Sequence, residues 1–165
     1  MEETKYNFDV VRWFTIMAIV YLVVGTLVGT YIASELAWPF LNFDIAEITF
    51  GRLRPLHTNA VIFAFGGCTL FATGFYSVQR TGSTSLWSPK MAWFTFWGWN
   101  LIIVAAVFPL PLGINQSKEY AELEWPIDLA IAVVWLSWGL NFLMTIAKRK
   151  TSHIYVANWF FMGMF

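Results

Sequence analysis

Four long apolar stretches dominate the pattern of hydrophobic and polar positions along the chain. They cover residues 13–36, 55–78, 93–112 and 126–146, and their only acidic, basic or histidine side chains are Glu35, His57 and Asp128. Inside a bilayer every backbone N–H and C=O must be hydrogen-bonded within the protein, and a helix needs about 20 apolar residues to cross. Each stretch therefore predicts a membrane-spanning α-helix.

A fifth apolar stretch begins at Ile154 and continues to Phe165. At about 1.5 Å per residue it is too short to cross about 30 Å of hydrocarbon. The predicted fold is all-α, a polytopic transmembrane helix bundle of four complete spans plus the start of a fifth (154–165), within one domain covering residues 1–165. We expect the sequence to be the N-terminal part of a longer membrane protein.

Composition and charge narrow the class of protein further. Hydrophobic residues make up 58% of the chain and charged residues 12%, whereas soluble domains have about 25% charged residues. Ten basic and ten acidic residues cancel, so the chain has no basic excess for nucleic acid. The single cysteine, Cys68, excludes an internal disulfide framework, a CxxCH haem attachment and an all-cysteine metal cluster within this sequence.

Basic residues in the short loops predict the orientation of the bundle, because they are enriched on the cytoplasmic side. A cytoplasmic N-terminus places seven of them inside, namely Lys5, Arg12, Arg80, Lys90, Lys148, Arg149 and Lys150, and three outside, namely Arg52, Arg54 and Lys118. We therefore expect the N-terminus to be cytoplasmic. A cleavable signal peptide is disfavoured, because the first stretch is too long and lacks a small-residue cleavage site.

Two sets of small residues lie within the predicted helices. Gly25 and Gly29 form a GxxxG motif, which favours close helix packing over the alternative, a subunit contact. At helical spacing, Ala64, Gly67 and Gly74 fall near the face of His57. That stripe leaves room for either a bulky flat group or a closely packed helix.

His57 lies about one turn inside the outer end of the second predicted span, where an ionisable side chain is a candidate functional residue. Arg52 and Arg54 precede it. Haem takes an axial imidazole on its iron, and its two propionates need cationic partners. These residues alone leave two interpretations open, a haem ligand and a histidine that only hydrogen-bonds a neighbouring helix or headgroup.

A family resemblance adds to this reading. The chain contains GRLRPLHTNAVIFAFG at 51–66, FWGWN at 96–100, SKEYAELEWP at 117–126 and HIYVANW at 153–159. These segments resemble the catalytic subunit of cbb3-type cytochrome c oxidases, the C family of haem-copper oxidases, and the similarity covers essentially the whole chain from about Val10. The resemblance implies a bacterial inner-membrane respiratory oxidase that reduces oxygen to water with electrons from cytochrome c and translocates protons.

The resemblance also implies roles for individual residues. His57 would be one axial ligand of the low-spin haem b, with Arg52 and Arg54 near the haem propionates. A calcium ion close to those propionates would take a glutamate of the loop before the fourth helix, placed on Glu119 with Glu122 as second choice. The second axial histidine, the high-spin haem b and the copper would be bound by later helices, so no catalytic residue is assigned within this sequence.

Partners and alternatives follow from the same comparison. The implied partners are membrane lipid, membrane-anchored c-type cytochrome subunits and soluble cytochrome c as electron donor. A nitric oxide reductase large subunit has a similar second-helix histidine in a different surrounding pattern. A non-catalytic haem b anchor usually supplies paired histidines for each haem, whereas only His57 lies inside a predicted span. A transporter fragment without haem is the remaining alternative.

Overall fold

The computed structural model describes residues 6–165, so Lys5, one of the basic residues used to predict orientation, lies outside it. The described residues form helices, turns and loops without a β-strand. Four helices are long and apolar enough to cross a membrane. The predicted all-α fold with four spans is therefore confirmed, and the chain is that of a multi-pass membrane protein.

Helix α1, Asp9–Ala37, is the first span. Asp9 lies in its first turn, where a carboxylate interacts favourably with the helix dipole. The helix ends where Trp38, which precedes Pro39, leaves the helical conformation, as expected of a residue before proline. Two short 3₁₀ turns follow, Pro39–Asn42 and Ala46–Ile48.

Helix α2, Phe50–Gly82, is the second span and is wider in its middle. It is α-helical over Phe50–Asn59 and Gly67–Gly82, with a π-helical segment, Ala60–Gly66, between them. The apolar stretch 55–78 predicts that this helix starts at Pro55, a common first residue of a helix, and that start is wrong, because Pro55 lies inside Phe50–Asn59. The additional residues include Arg52 and Arg54, whose charge hides them from a search for apolar stretches.

Helix α3 covers Pro89–Val107 and is followed directly by a short helical turn, Pro109–Leu112. The Ser88 hydroxyl caps its start by accepting a hydrogen bond from the Met91 backbone N–H at 3.2 Å, which satisfies one of the free donors of the first turn. Gly113 ends the turn with φ of 76°. That left-handed conformation is readily adopted by glycine.

Helix α4, Trp125–Ala147, is the fourth span, and α5, Val156–Met162, follows it. Aromatic side chains fill the core between the helices. Phe14, Phe71, Phe75, Trp99, Trp138 and Phe142 are each at most 2% exposed. Phe71 is central, with ring centroids 4.8 Å from Trp99 and 5.1 Å from Trp138. Such edge-to-face pairs are favourable beyond the area that they bury, so this core fixes α2 against α3 and α4.

Candidate functional site: a histidine held between two helices

The His57 side chain lies about two turns after the start of α2 and packs against α1. Its Nδ1 atom is 2.8 Å from the carbonyl oxygen of Gly25. The ring covers Gly29, where an added Cβ would be 2.5 Å from Cε1 and 3.2 Å from Nε2 of the imidazole. The GxxxG motif of α1 therefore serves close packing within the chain, and it makes the space that the histidine ring occupies.

This hydrogen bond fixes the tautomer of a neutral His57. A carbonyl oxygen can only accept, so Nδ1 carries the proton and Nε2 presents its lone pair. No residue among 6–165 hydrogen-bonds Nε2. A metal-ligating histidine commonly donates its other ring N–H to a carbonyl in this way, which orients the ring and raises its basicity. His57 is therefore in the hydrogen-bonding state that metal ligation through Nε2 would need.

The stripe of small residues below His57 is filled by tryptophan rings. An added Cβ would be 2.5 Å from Cζ2 of Trp99 at Gly67, and 2.7 Å from Cζ2 of Trp138 at Gly74. The Trp99 indole also donates to the Phe63 carbonyl at 3.1 Å. The sequence left open whether this stripe makes room for a flat group or for close helix packing. In the structure, side chains of α3 and α4 pack against it. A flat cofactor held by His57 therefore has to lie elsewhere than over Gly67 and Gly74.

Arg54 lies one turn before His57 and forms an ion pair with Glu119. The distance between Arg54 Nη1 and Glu119 Oε1 is 3.2 Å, and the two side chains are 45% and 61% exposed. An exposed pair of this kind contributes about 0.2–1 kcal/mol. Its importance is therefore positional, because it holds the loop before α4 against the N-terminal end of α2.

Arg52 is half-buried and lies against Gly113, at the turn that follows α3. A side chain at Gly113 would overlap the Arg52 guanidinium, so glycine is needed here for space as well as for its φ of 76°. Within residues 6–165 this guanidinium makes no ion pair or side-chain hydrogen bond. An oriented cation without a partner, about one and a half turns from His57, fits the carboxylate of a haem propionate.

Asn59 and Glu122 form a buried polar contact that sequence reasoning did not pair. Both are 5% exposed. The Asn59 amide donates to the Glu122 carboxylate at 3.3 Å and to the Pro55 carbonyl at 2.8 Å, while the Asn59 Oδ1 atom is buried without a partner. Glu122 was the second choice for calcium. Asn59 lies two residues after His57 inside an apolar stretch, and such a polar residue could have indicated a buried hydrogen-bonding partner.

Residues 9–165 match the family described as cytochrome c and quinol oxidase polypeptide I. The chain belongs to this family. The resemblance to haem-copper oxidases inferred from the sequence motifs is thereby confirmed.

Several curated oxidase subunits are similar to this chain. It is 63% identical over 158 residues to cbb3-type cytochrome c oxidase subunit CcoN1 of Stutzerimonas stutzeri, covering 96% of the chain and 33% of that relative. It is 52% identical over 159 residues to a bacteroid cytochrome c oxidase subunit 1 homolog of Bradyrhizobium diazoefficiens, covering 96% and 29%. Cytochrome c oxidase subunit 1 of Rhodobacter capsulatus is 51% identical over 162 residues, which are 96% of this chain and 30% of that relative. The chain thus spans about a third of the length of these relatives.

The second histidine and the single cysteine of this oxidase-family chain make no contact with His57. His153 is exposed between α4 and α5, with its ring 4.6 Å from that of Tyr155. Cys68 is fully buried in the core. Among residues 6–165 no three His, Cys, Asp or Glu side chains gather into a metal cluster. His57 is therefore the strongest candidate ligand in the described part of the chain.

Proposed function

We propose that this chain is part of the catalytic subunit of a cbb3-type terminal oxidase, in which His57 is an axial ligand of the low-spin haem b. The observation that carries the proposal is the His57 ring itself, fixed by Gly25 so that Nε2 presents its lone pair. Membership of the oxidase family and 63% identity to CcoN1 support it. The activity proposed is the reduction of oxygen to water with electrons from cytochrome c, coupled to proton translocation across the bacterial inner membrane.

The residues of this chain would bind and orient the haem. Gly25 and Gly29 hold the imidazole, so the ring needs little rearrangement to coordinate iron. Arg52 and Arg54 would pair with the propionates, because both guanidinium groups lie on the outer side of His57 and a carboxylate forms strong bonds with guanidinium. When bound, the haem supplies an iron that accepts and passes on one electron at a time.

A calcium ion is proposed at the same outer end of the bundle. Glu119 is the first choice of ligand, because its exposed carboxylate reaches Arg54 and so lies beside the proposed propionate site. Oxygen ligands of this kind suit calcium. Glu122 stays the second choice, since its carboxylate is buried against Asn59 and faces α2.

The remaining cofactors and partners of the proposed oxidase lie outside this chain. The second axial histidine, the high-spin haem b and the copper would belong to later helices of the subunit. Membrane-anchored c-type cytochrome subunits would deliver the electrons, and soluble cytochrome c would be their donor. The absence of CxxCH in this sequence is consistent with covalent haem c being carried by other chains.

The proposal is tested by replacing His57 in the complete subunit and its complex. His57→Ala is expected to abolish the low-spin haem b bands in the reduced spectrum and to stop electron transfer to oxygen. His153→Ala is the matched control, because the second histidine of this sequence is exposed in a loop beside the C-terminal end of α2, and it should leave the spectrum unchanged. A His57→Ala enzyme with unaltered low-spin bands would refute the ligand role.

A second variant addresses assembly, because the alanine enzyme has to fold for the test to decide. In His57→Met the thioether can bind haem iron and is expected to raise the midpoint potential relative to histidine ligation. The low-spin bands should then shift, and redox titration should show the higher potential. An assembled His57→Met enzyme with the wild-type spectrum and potential would also refute the assignment.

A further inference from the structure

The π-helical segment Ala60–Gly66 follows His57 on α2 and shares its contact with α1. An added Cβ at Gly25 would be 3.2 Å from Cγ2 of Val61 and 3.5 Å from Cβ of Ala60. The carbonyl oxygen of the same glycine lies 2.8 Å from His57 Nδ1. A shift of the first residues of the segment on Gly25 would therefore change the geometry of the His57 hydrogen bond.

On its other side the π-helical segment is held by Trp99 of α3. The Trp99 indole N–H donates to the carbonyl oxygen of Phe63, in the middle of the segment, at 3.1 Å. The same ring covers Gly67, the residue after the segment, where an added Cβ would be 2.5 Å from Cζ2. Trp99 is 2% exposed, and its ring packs edge-to-face with that of Phe71, with centroids 4.8 Å apart. The aromatic core thus fixes the position of the indole.

The two contacts hold a backbone conformation that proteins seldom adopt. π-Helical turns are rare, and they occur frequently at functional sites. Because an α-helix is the ordinary conformation of such a span, the wide segment depends on neighbours that stabilise it. Here the neighbours are Gly25 of α1 on one side and Trp99 of α3 on the other. The segment therefore connects the Trp99 indole mechanically with the seat of the His57 ring.

We propose that Trp99 is a positioning residue for the His57 imidazole and acts through the π-helical segment. This inference rests on the proposed role of His57 as a haem ligand. The indole hydrogen bond to Phe63 holds the segment against Gly25, whose carbonyl accepts from Nδ1. That acceptor makes the imidazole more basic, and a more basic axial ligand favours the oxidised iron. Trp99 thereby keeps the midpoint potential of the low-spin haem b lower than it would otherwise be.

The test compares two tryptophans in the complete oxidase complex. Trp99 and Trp138 are both buried, and they pack on Gly67 and Gly74 of α2. They differ in the indole N–H, which is bonded in Trp99 and buried without a partner among the described residues in Trp138. Trp99→Phe should raise the midpoint potential in a redox titration and shift the electron paramagnetic resonance signal of the oxidised low-spin haem. Trp138→Phe makes the same change of ring and should alter neither.

A purely structural role of Trp99 would give a different result. Both variants lose part of a core ring and should lower the unfolding temperature, whereas only a positioning role moves the potential and the resonance signal. An assembled Trp99→Phe enzyme with the parent potential and signal, or equal changes in Trp138→Phe, would overturn the inference. The low-spin haem bands would still be present in those outcomes, so the ligand role of His57, tested by His57→Ala, would stand.

A second pair of variants reaches the same contact from α2, which keeps the test decisive if Trp99→Phe does not assemble. Gly67→Ala should push the indole away from the Phe63 carbonyl and raise the potential, whereas Gly74→Ala, where the added Cβ would be 2.7 Å from Cζ2 of Trp138, should not. Combining Gly67→Ala with Trp99→Phe should give no larger shift than Trp99→Phe alone, because both changes break one contact. Additive shifts, or a parent potential in Gly67→Ala, would contradict the proposal.

Discussion

Gly29 of α1 lies directly beneath the imidazole of His57 in α2, so close that an added Cβ would be 2.5 Å from the Cε1 atom of the ring. The ring is also held by the Gly25 carbonyl one turn away. The position of the proposed iron ligand is thus set by the absence of a side chain on a different helix. Substitutions in α1 should therefore affect a haem that α1 does not itself ligate.

Gly29→Ala should disturb the His57 site without removing the histidine. The new methyl group has to displace the ring, and overpacking of this kind costs about 1–3 kcal/mol. We expect weakened or shifted low-spin haem bands in the reduced spectrum and a lower unfolding temperature. Gly51→Ala is the control, because nothing lies within 4 Å of a Cβ at that position. A normal spectrum in Gly29→Ala would show that the ring does not depend on this contact.

Gly113→Ala should act on Arg52. Alanine at a φ of 76° costs about 1–2 kcal/mol, and the methyl group would push the guanidinium away from its present place. Losing a cation beside the proposed propionates favours the oxidised haem, so the midpoint potential of the low-spin haem should fall, as in Arg52→Ala. Leu112→Ala, at an exposed neighbouring position, should leave it unchanged. The Arg52 assignment fails if redox titration finds the same potential in all of these variants.

Glu119→Gln distinguishes two roles of this carboxylate by the sign of one measurement. As a calcium ligand, Glu119 keeps a divalent cation near the haem, so its loss should lower both the calcium content and the midpoint potential. As a partner of Arg54 alone, its loss would remove a negative charge and raise the potential. We expect the first result, with Glu47→Gln as an exposed control in another outer loop. Unchanged calcium with a raised potential would contradict the metal site.

Asn59→Leu should destabilise the N-terminal part of α2. It leaves the buried Glu122 carboxylate without the amide that now lies 3.3 Å away, and an unsatisfied buried group costs about 1–3 kcal/mol. The unfolding temperature of the complex should fall. Glu122→Gln keeps a hydrogen-bonding side chain of the same size and should have a smaller effect. Equal stability of Asn59→Leu and the parent protein would mean that water or another group replaces the amide.

The predicted orientation can be checked with single cysteines at exposed loop positions. Ala46 lies in the loop after α1, and Lys148 lies just after α4. A membrane-impermeant maleimide applied from the periplasmic side should label Ala46→Cys and spare Lys148→Cys. The native Cys68 is buried and should not react. The reverse labelling pattern would show that the predicted orientation is wrong and that the N-terminus is periplasmic.

Sequence reasoning captured what depends on hydrophobicity along the chain. The four spans and the candidate histidine follow from apolar length and from a single imidazole within it. The start of α2 at Phe50 was missed, because Arg52 and Arg54 extend the helix beyond its apolar part. The pairing of His57 with Gly25 and Gly29 also could not be read from the sequence, since it depends on how two distant segments cross.

The π-helical segment Ala60–Gly66 gives α2 an angular offset between its two halves. Above it, His57 is seated on α1, and below it, Gly67 and Gly74 receive indole rings from α3 and α4. Deleting one residue from the segment would rotate the lower half by about 100° relative to the upper half, so that larger side chains meet Trp99 and Trp138. The number of residues in the π-helical segment therefore determines whether His57 can contact α1 while Gly67 and Gly74 face the tryptophans.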